Sequence, residues 1–190
     1  MFIQSRSILL VIAFVSTLMA CKKPDFESAP YLEFITLERE LVANPFAISD
    51  TIKDDIITLT TYFEDGDGDL GLDINGVDST LTESQRNNYW LSIYKKEADG
   101  FQLLRVDSST FERLLEADLK SPINGNIQFS TRIERVGDVI DIVKGDTITF
   151  SLYLTDRAGN QSNTIYTDTI VAFSEIEEET TTDETTTSIQ

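Results

Sequence analysis

The feature that most constrains the fold of this chain is a hydrophobic pattern with a period of two. It is clearest at residues 148–155, where Ile148, Phe150, Leu152 and Leu154 alternate with Thr, Ser and Tyr residues. Such alternation predicts a strand with one buried face. Stretches rich in β-branched and aromatic residues recur at residues 31–37, 57–63, 89–94, 101–106, 127–133 and 165–173. About seven antiparallel strands of this kind predict an all-β sandwich.

One segment departs from this pattern. In residues 108–120, Phe111, Leu114 and Leu115 fall at helical spacing behind Ser and Thr residues that could cap a helix. The sequence therefore predicts one short helix beside the strands.

The inventory of reactive side chains excludes several kinds of chemistry. The 190 residues include no His and one Cys. A Ser-His-Asp or Cys-His nucleophile, an imidazole metal ligand, a thiolate cage and an internal disulfide are therefore excluded. The 33 acidic residues outnumber the 15 basic ones, for a net charge of -18. That balance argues against nucleic acid as a partner and against binding anionic headgroups through the protein surface.

The first twenty residues have the character of a targeting signal. Arg6 precedes an apolar run that is shorter than the roughly 20 residues a membrane-spanning helix needs. The run ends in LMAC at residues 18–21, which resembles the lipobox of bacterial lipoproteins. The resemblance implies that residues 1–20 are removed and that Cys21 carries acyl chains that hold the protein on a membrane. The alternative is a plain signal peptide or N-terminal anchor with an incidental Cys.

The rest of the chain divides into three parts. Residues 21–30 are polar, contain two Pro and are interpreted as a tether. Residues 31–173 form the predicted sandwich. Residues 174–190 hold six acids and no base, and they have too little apolar area to offset ordering, so we expect a disordered tail. The lysines and acids after Cys21 loosely resemble those of Bacteroidota-type surface lipoproteins, which implies a cell-envelope location at the outer membrane, with the periplasmic face as the alternative to the cell surface.

Two loops carry a further resemblance. Residues 156–160, DRAGN, are similar to the last hairpin of bacterial immunoglobulin-like and fibronectin-type sandwiches. Residues 63–71, FEDGDGDLG, resemble an Asp/Gly loop of uncharacterised surface lipoproteins of the Bacteroidota type. The antibody-type Cys pair is absent. The resemblance implies an immunoglobulin-like topology, in which both loops lie at one end of the sandwich, close to the tether.

The Asp/Gly loop is a candidate calcium site. Residues 64–78 contain six acids, and no base follows until Arg86. Calcium takes six to eight oxygen ligands from carboxylates, amides and backbone carbonyls, and the glycines at 66, 68 and 71 would let alternate acids point inward. The predicted ligands are Asp65, Asp67, Asp69, Asp73, Asn75 and Asp156.

The loop is not an EF-hand. Leu70 stands at the sixth position, where that motif has Gly, and Gly76 stands at the twelfth, where it has a bidentate Glu. The alternative to a metal site is a solvated loop whose Asp and Gly residues serve turn geometry alone.

Three classes of function are compatible with the sequence. The leading interpretation is a non-enzymatic, lipid-anchored envelope module that binds a partner or serves as a structural accessory. The second is a glycan-binding accessory protein, with a stacking platform of aromatic residues on an outer sheet face: Tyr62, Tyr89, Trp90, Tyr94 and Tyr153. The third is a carboxylate-based glycoside hydrolase. It is the least supported, because the acids cluster in one Gly-rich loop, whereas hydrolysis needs two on opposite sides of a cleft.

Overall fold

The computed structural model describes residues 25–49, 52–72, 86–116, 119–135 and 141–175. Within these ranges the chain forms strands and loops. The strands are β1 (Tyr31–Ala43), β2 (Lys53–Asp65), β3 (Tyr89–Glu97), β4 (Gly100–Ser109), β5 (Ile123–Ile133), β6 (Thr147–Leu154), β7 (Ile165–Tyr166) and β8 (Ile170–Val171). The all-β prediction is confirmed.

The strands form two antiparallel sheets. The smaller sheet has the order β1-β2-β5, and the larger has the order β4-β3-β6-β7, with β8 also paired to β6. The single strand predicted at residues 165–173 is instead two short ones. Between them the Thr167 hydroxyl accepts a hydrogen bond from the Phe150 N–H at 3.1 Å, so a side chain takes the place of the backbone in the ladder.

The core lies between the two sheets and follows the alternation of the sequence. Ile57, Leu59 and Phe63 of β2 are buried against the inward residues of β6. The inward residues of β6 are those that the period of two predicts, namely Ile148, Phe150, Leu152 and Leu154, and each is 0% exposed. Fully burying a side chain of this size stabilises the fold by about 1.5–3 kcal/mol, so the domain needs no disulfide.

The predicted helix at residues 108–120 is wrong. Residues 108–109 end β4, and residues 110–116 and 119–120 are irregular. The backbone of Phe111 is bound on both sides: the Asn88 side chain accepts from its N–H, and its carbonyl accepts from Leu72 N. The Phe111 ring packs edge-on against Phe129, with ring centroids 6.2 Å apart. These long-range contacts replace the hydrogen bonds that a helix would form.

Side chains close the edge of the sandwich beside β1. The Asn163 amide donates to the Leu32 carbonyl at 2.9 Å and accepts from the Leu32 N–H at 2.7 Å, as a neighbouring strand would. Farther along β1, Arg39 donates to the carbonyl oxygens of Val171 and Ser174. The chain is therefore fixed as far as Ser174, one residue beyond the predicted domain boundary.

Three segments meet at one end of the sandwich. β1 begins there, because Tyr31 pairs with Glu64 near the end of β2. The loop after β2 begins there at Gly66, and the hairpin after β6 begins there at Thr155. We call this end the acidic pole, defined by residues 64–69 and Asp156. Within the described residues, no helix is long and apolar enough to cross a bilayer.

Candidate metal centre

Three carboxylates converge at the acidic pole. Each of Asp65, Asp67 and Asp69 offers one carboxylate oxygen, and these three oxygens lie within 4.8 Å of one another. Asp65 is the last residue of β2 and is 0% exposed, while Asp67 and Asp69 are half-buried. The alternation of Asp with Gly turns every second side chain to the same side of the loop, as the sequence pattern predicts.

Each of these three carboxylates has one oxygen without a hydrogen-bond partner. The Oδ1 atoms of Asp65, Asp67 and Asp69 are all buried and unpaired. The second oxygens of two of these acids are bound, since Asp65 Oδ2 accepts from Leu70 N at 2.9 Å and Asp69 Oδ2 accepts from Ala158 N at 3.1 Å. Leaving a buried polar group unpaired costs about 1–3 kcal/mol, and more when it is charged. A cation bound by the three carboxylates would remove this cost.

The loop is held by a buried leucine and by close backbone contacts. Leu70 is 0% exposed and belongs to the core. Two residues later, Leu72 N donates to the Phe111 carbonyl at 3.0 Å. Gly68 has a φ of +72°, and a Cβ there would lie 2.2 Å from the Ser121 carbonyl oxygen. Any side chain at this position would push the loop away from its neighbours.

The last hairpin clamps the other side of the loop. Arg157 N donates to the Asp69 carbonyl at 3.3 Å. The Arg157 guanidinium donates to the carbonyl oxygens of Leu70 and Gly71, at 3.2 and 3.0 Å. The positive charge of Arg157 is therefore directed at carbonyl oxygens of the loop.

Asp156 lies next to the cluster but is occupied by its own turn. Its Oδ1 accepts from Asn160 N at 2.7 Å and its Oδ2 from Asn160 Nδ2 at 2.8 Å. The structure thus brings Asp156 close to Asp69, as expected for two loops at one end of a sandwich. The carboxylate of Asp156 is not one of the three converging groups. The predicted ligands Asp73 and Asn75, like Cys21, lie outside the described residues.

The crowding of charge changes the acidity of the cluster. Burial raises the pKa of Asp65 to about 6; the negative charges of Asp67 and Asp69 add to the rise, and the hydrogen bond from Leu70 N opposes it. Burial also raises the pKa of Asp69, and the charges of Asp156 and Asp67 act in the same direction. A proton held between Asp65 and Asp67 or a bound cation would each relieve this repulsion.

The donor set suits a hard cation. All three converging atoms are carboxylate oxygens, and calcium prefers carboxylate, carbonyl and water ligands to nitrogen or sulfur. The orphaned oxygens of Asp65, Asp67 and Asp69 would hold such an ion. Its further ligands would be backbone carbonyls, water or side chains beyond these three.

Sequence reasoning missed two parts of this centre. Leu70 anchors the loop in the core, and the signal for it was present, since Leu70 is the one apolar residue between Asp65 and Gly71. The second is the residue 25–30 segment, where Gly66 N donates to the Glu27 carbonyl at 2.8 Å. A backbone carbonyl leaves no trace in sequence composition, so nothing pointed to Glu27.

The proposed aromatic platform is divided between faces. Tyr89 points into the core against Phe129, and Tyr62 lies on the other sheet, hydrogen-bonded to Glu64. Trp90 and Tyr153 stack on the outer face of the larger sheet, with centroids 4.9 Å apart and planes at 7°. On the same face the Tyr94 hydroxyl lies 3.3 Å from the Ser151 hydroxyl.

Comparison with models of protein families, with curated proteins and with solved structures finds no match. The geometry of the centre therefore carries the functional argument.

Calcium is expected to stabilise the folded domain through this centre. At a hundredfold excess of calcium over its dissociation constant, binding to the native state adds about 2.7 kcal/mol, or about 5–10 °C in melting temperature. The measurement is thermal unfolding in chelator and in millimolar calcium. Asp65→Asn should abolish the calcium response. In chelator, however, it should melt above the wild type, because an amide relieves the repulsion and its oxygen still accepts from Leu70 N. An unchanged melting temperature of the wild type in calcium would contradict the site.

The stability of the metal-free protein should depend on pH through Asp65. Because its folded pKa of about 6 lies above the ordinary value of 3.8, its favourable contribution is complete below pH 3.8 and is lost as the pH rises through 6. Relative to Asp65→Asn, metal-free wild type should therefore lose stability over this window. Protons compete with the ion, so the calcium-induced rise in melting temperature should shrink below pH 6. A rise that stays constant from pH 7.5 to pH 5 would contradict this assignment.

Proposed function

We propose that this chain is a non-enzymatic, lipid-anchored module of the cell envelope, a binding or structural accessory whose sandwich is stabilised by a calcium ion. The observation that carries the proposal is the set of three buried, unpaired oxygens of Asp65, Asp67 and Asp69. Calcium there would fix the loop that follows β2, and this loop contacts both residues 25–30 and the last hairpin. A structural ion of this kind suits a domain that works outside the cytoplasm without disulfides.

The location rests on the sequence around Cys21. The apolar run and the LMAC ending resemble a bacterial lipoprotein signal, and the cysteine is the only one in the chain. Residues 25–30 enter the fold at the acidic pole, where Gly66 N binds the Glu27 carbonyl. The part of the chain that the structure describes therefore enters the domain at the end where the ion is proposed to bind.

The arrangement of acids supports a structural role over catalysis. A glycoside hydrolase places its acid and its base or nucleophile on opposite sides of the scissile bond. Asp65, Asp67 and Asp69 lie within five consecutive residues, and one carboxylate oxygen of each lies within 4.8 Å of the others. A carboxylate trio with this geometry favours a single cation over a sugar ring.

The anchor can be tested on the native protein. Intact-mass analysis of protein extracted from membranes should give the mass of residues 21–190 plus two or three acyl chains. Cys21→Ser should lose the acyl mass and leave the membrane fraction. Ser28→Ala, a neighbouring substitution in the tether, should retain both. An unprocessed, unacylated wild-type chain would overturn the proposed location.

A second candidate function is glycan binding by the outer face of the larger sheet. Trp90, Tyr94 and Tyr153 share that face, and Tyr166, which pairs with Ser151 and is 64% exposed, extends it. Aromatic rings and hydroxyl groups together are the usual lining of a sugar site. Against it, Trp90 and Tyr153 each cover one face of the other, which leaves less ring surface for a sugar.

A glycan array tests this second candidate. Binding that is lost in Trp90→Ala and retained in Tyr62→Ala, an aromatic of the other sheet, would support it. A truncation at Trp90 typically weakens such a contact by about 1–3 kcal/mol if the ring stacks on the ligand. An array without hits for the wild type would remove glycan binding from consideration.

A further inference from the structure

We propose that cation binding at the acidic pole controls whether residues 25–30 are seated against the sandwich or released from it. The inference rests on the proposed calcium site and adds a regulatory role to it. With the ion bound, the segment stays docked on the loop after β2. When the ion leaves, the loop relaxes and the segment detaches, which lengthens the connection between the domain and its anchor.

The residue that links the two events is Gly66. It lies between two of the three converging acids, Asp65 and Asp67, so its peptide groups move with theirs. Its N–H donates to the Glu27 carbonyl at 2.8 Å. A Cβ at Gly66 would lie 2.3 Å from the Phe26 carbonyl oxygen, so the two backbones are in direct contact. A shift of the loop by about the width of a methyl group would therefore break the contact between Gly66 and the backbone of residues 26 and 27.

A second observation points to a ligand at this loop. Asp65 is 0% exposed, its Oδ1 has no partner, and one of its carboxylate oxygens lies within 4.8 Å of a carboxylate oxygen of both Asp67 and Asp69. Without a cation these three groups repel one another, and the half-buried pair can relieve the repulsion by moving outward. Asp67 is bonded directly to Gly66, so this outward movement takes Gly66 with it.

The segment itself is held weakly. Four of its six residues are exposed, and Pro30 is buried at the point where β1 begins. An open pocket of about 210 Å³ is lined by Glu27 and Ala29 of the segment together with Tyr31 of β1 and Glu64 of β2, so the segment does not fill the space beside these strands. In contrast, Leu32 is bound on both backbone groups by Asn163. Detachment would therefore stop at the start of β1.

Release of residues 25–30 would change both the distance between the sandwich and its anchor and the exposure of the segment to proteases. Six released residues add up to about 20 Å of extended chain between the sandwich and its anchor. They also expose the peptide bonds after Phe26 and Glu27 to proteases. Loss of the cation would thus lengthen the tether and make the domain easier to cleave from its anchor.

The experiment is limited proteolysis of the full chain, solubilised in non-ionic detergent, with a protease that cleaves after Glu. The rate of cleavage after Glu27 should be about tenfold lower in millimolar calcium than in chelator. Cleavage after Glu97, an exposed residue where β3 ends, serves as the internal control and should not respond. Asp67→Asn should be cleaved after Glu27 at the same rate in both conditions, and more slowly in chelator than the wild type, because the amide removes one of the repelling charges.

A second variant separates the two proposals. Gly66→Ala keeps all three carboxylates, but its added methyl group prevents residues 26 and 27 from docking on the loop. Calcium should therefore still raise its melting temperature, while cleavage after Glu27 stays fast. If the wild-type melting temperature rises with calcium but cleavage after Glu27 does not slow, the control of the segment is refuted and the calcium site stands. If neither responds, the calcium site fails and this inference fails with it.

Hydrogen exchange gives a measurement that needs no variant. The Gly66 amide donates to Glu27 only when the segment is seated. It should therefore be protected in calcium and exchange about tenfold faster in chelator, relative to a core amide such as that of Leu59. Equal protection in both conditions would overturn the inference.

Discussion

A buried carboxylate at the end of the central strand of the smaller sheet determines how this end of the molecule is arranged. Asp65 is fully buried, and only one of its two oxygens is bound by the protein. A charge in such a place must be neutralised by a proton or met by a cation. The negative charges of Asp67 and Asp69 add to this need for a proton or a cation. The loop after β2, the last hairpin and the segment before β1 are all positioned around Asp65.

The same end shows how a sandwich without disulfides can join distant parts of its chain. Arg157 ties the last hairpin to the loop through the carbonyls of Leu70 and Gly71, and Asn163 substitutes for a strand beside β1. These contacts link residues that are 86 to 131 positions apart in sequence. Each is a hydrogen bond to backbone, worth about 0.5–1.5 kcal/mol when both groups are neutral and about 1.5–3 kcal/mol when the donor is charged.

Much of this architecture could be predicted from the sequence, and the failures have identifiable causes. The period of two located β6, because burial of one sheet face imposes that pattern directly. Stretches rich in β-branched and aromatic residues located the other long strands, including β4, which has no fully buried side chain. The segment around Phe111 has helical spacing, but its backbone groups are taken by Asn88 and Leu72, which are distant in sequence. The convergence of Asp65, Asp67 and Asp69 followed from alternation with Gly. The hydrogen bond from Gly66 N to the Glu27 carbonyl could not be predicted, because a contact between two backbones leaves no signal in the amino-acid composition.

The way in which the chain leaves the domain has a consequence for its geometry on a surface. The chain enters the domain beside Gly66. It leaves at Ser174, which Arg39 binds toward the opposite end of the strands. β1 and β2 are 13 residues long, which corresponds to about 43 Å. If the entry end faces a bilayer, the two sheets act as a spacer of about that height, and Ser174 lies near the end of the sandwich that approaching molecules would meet first.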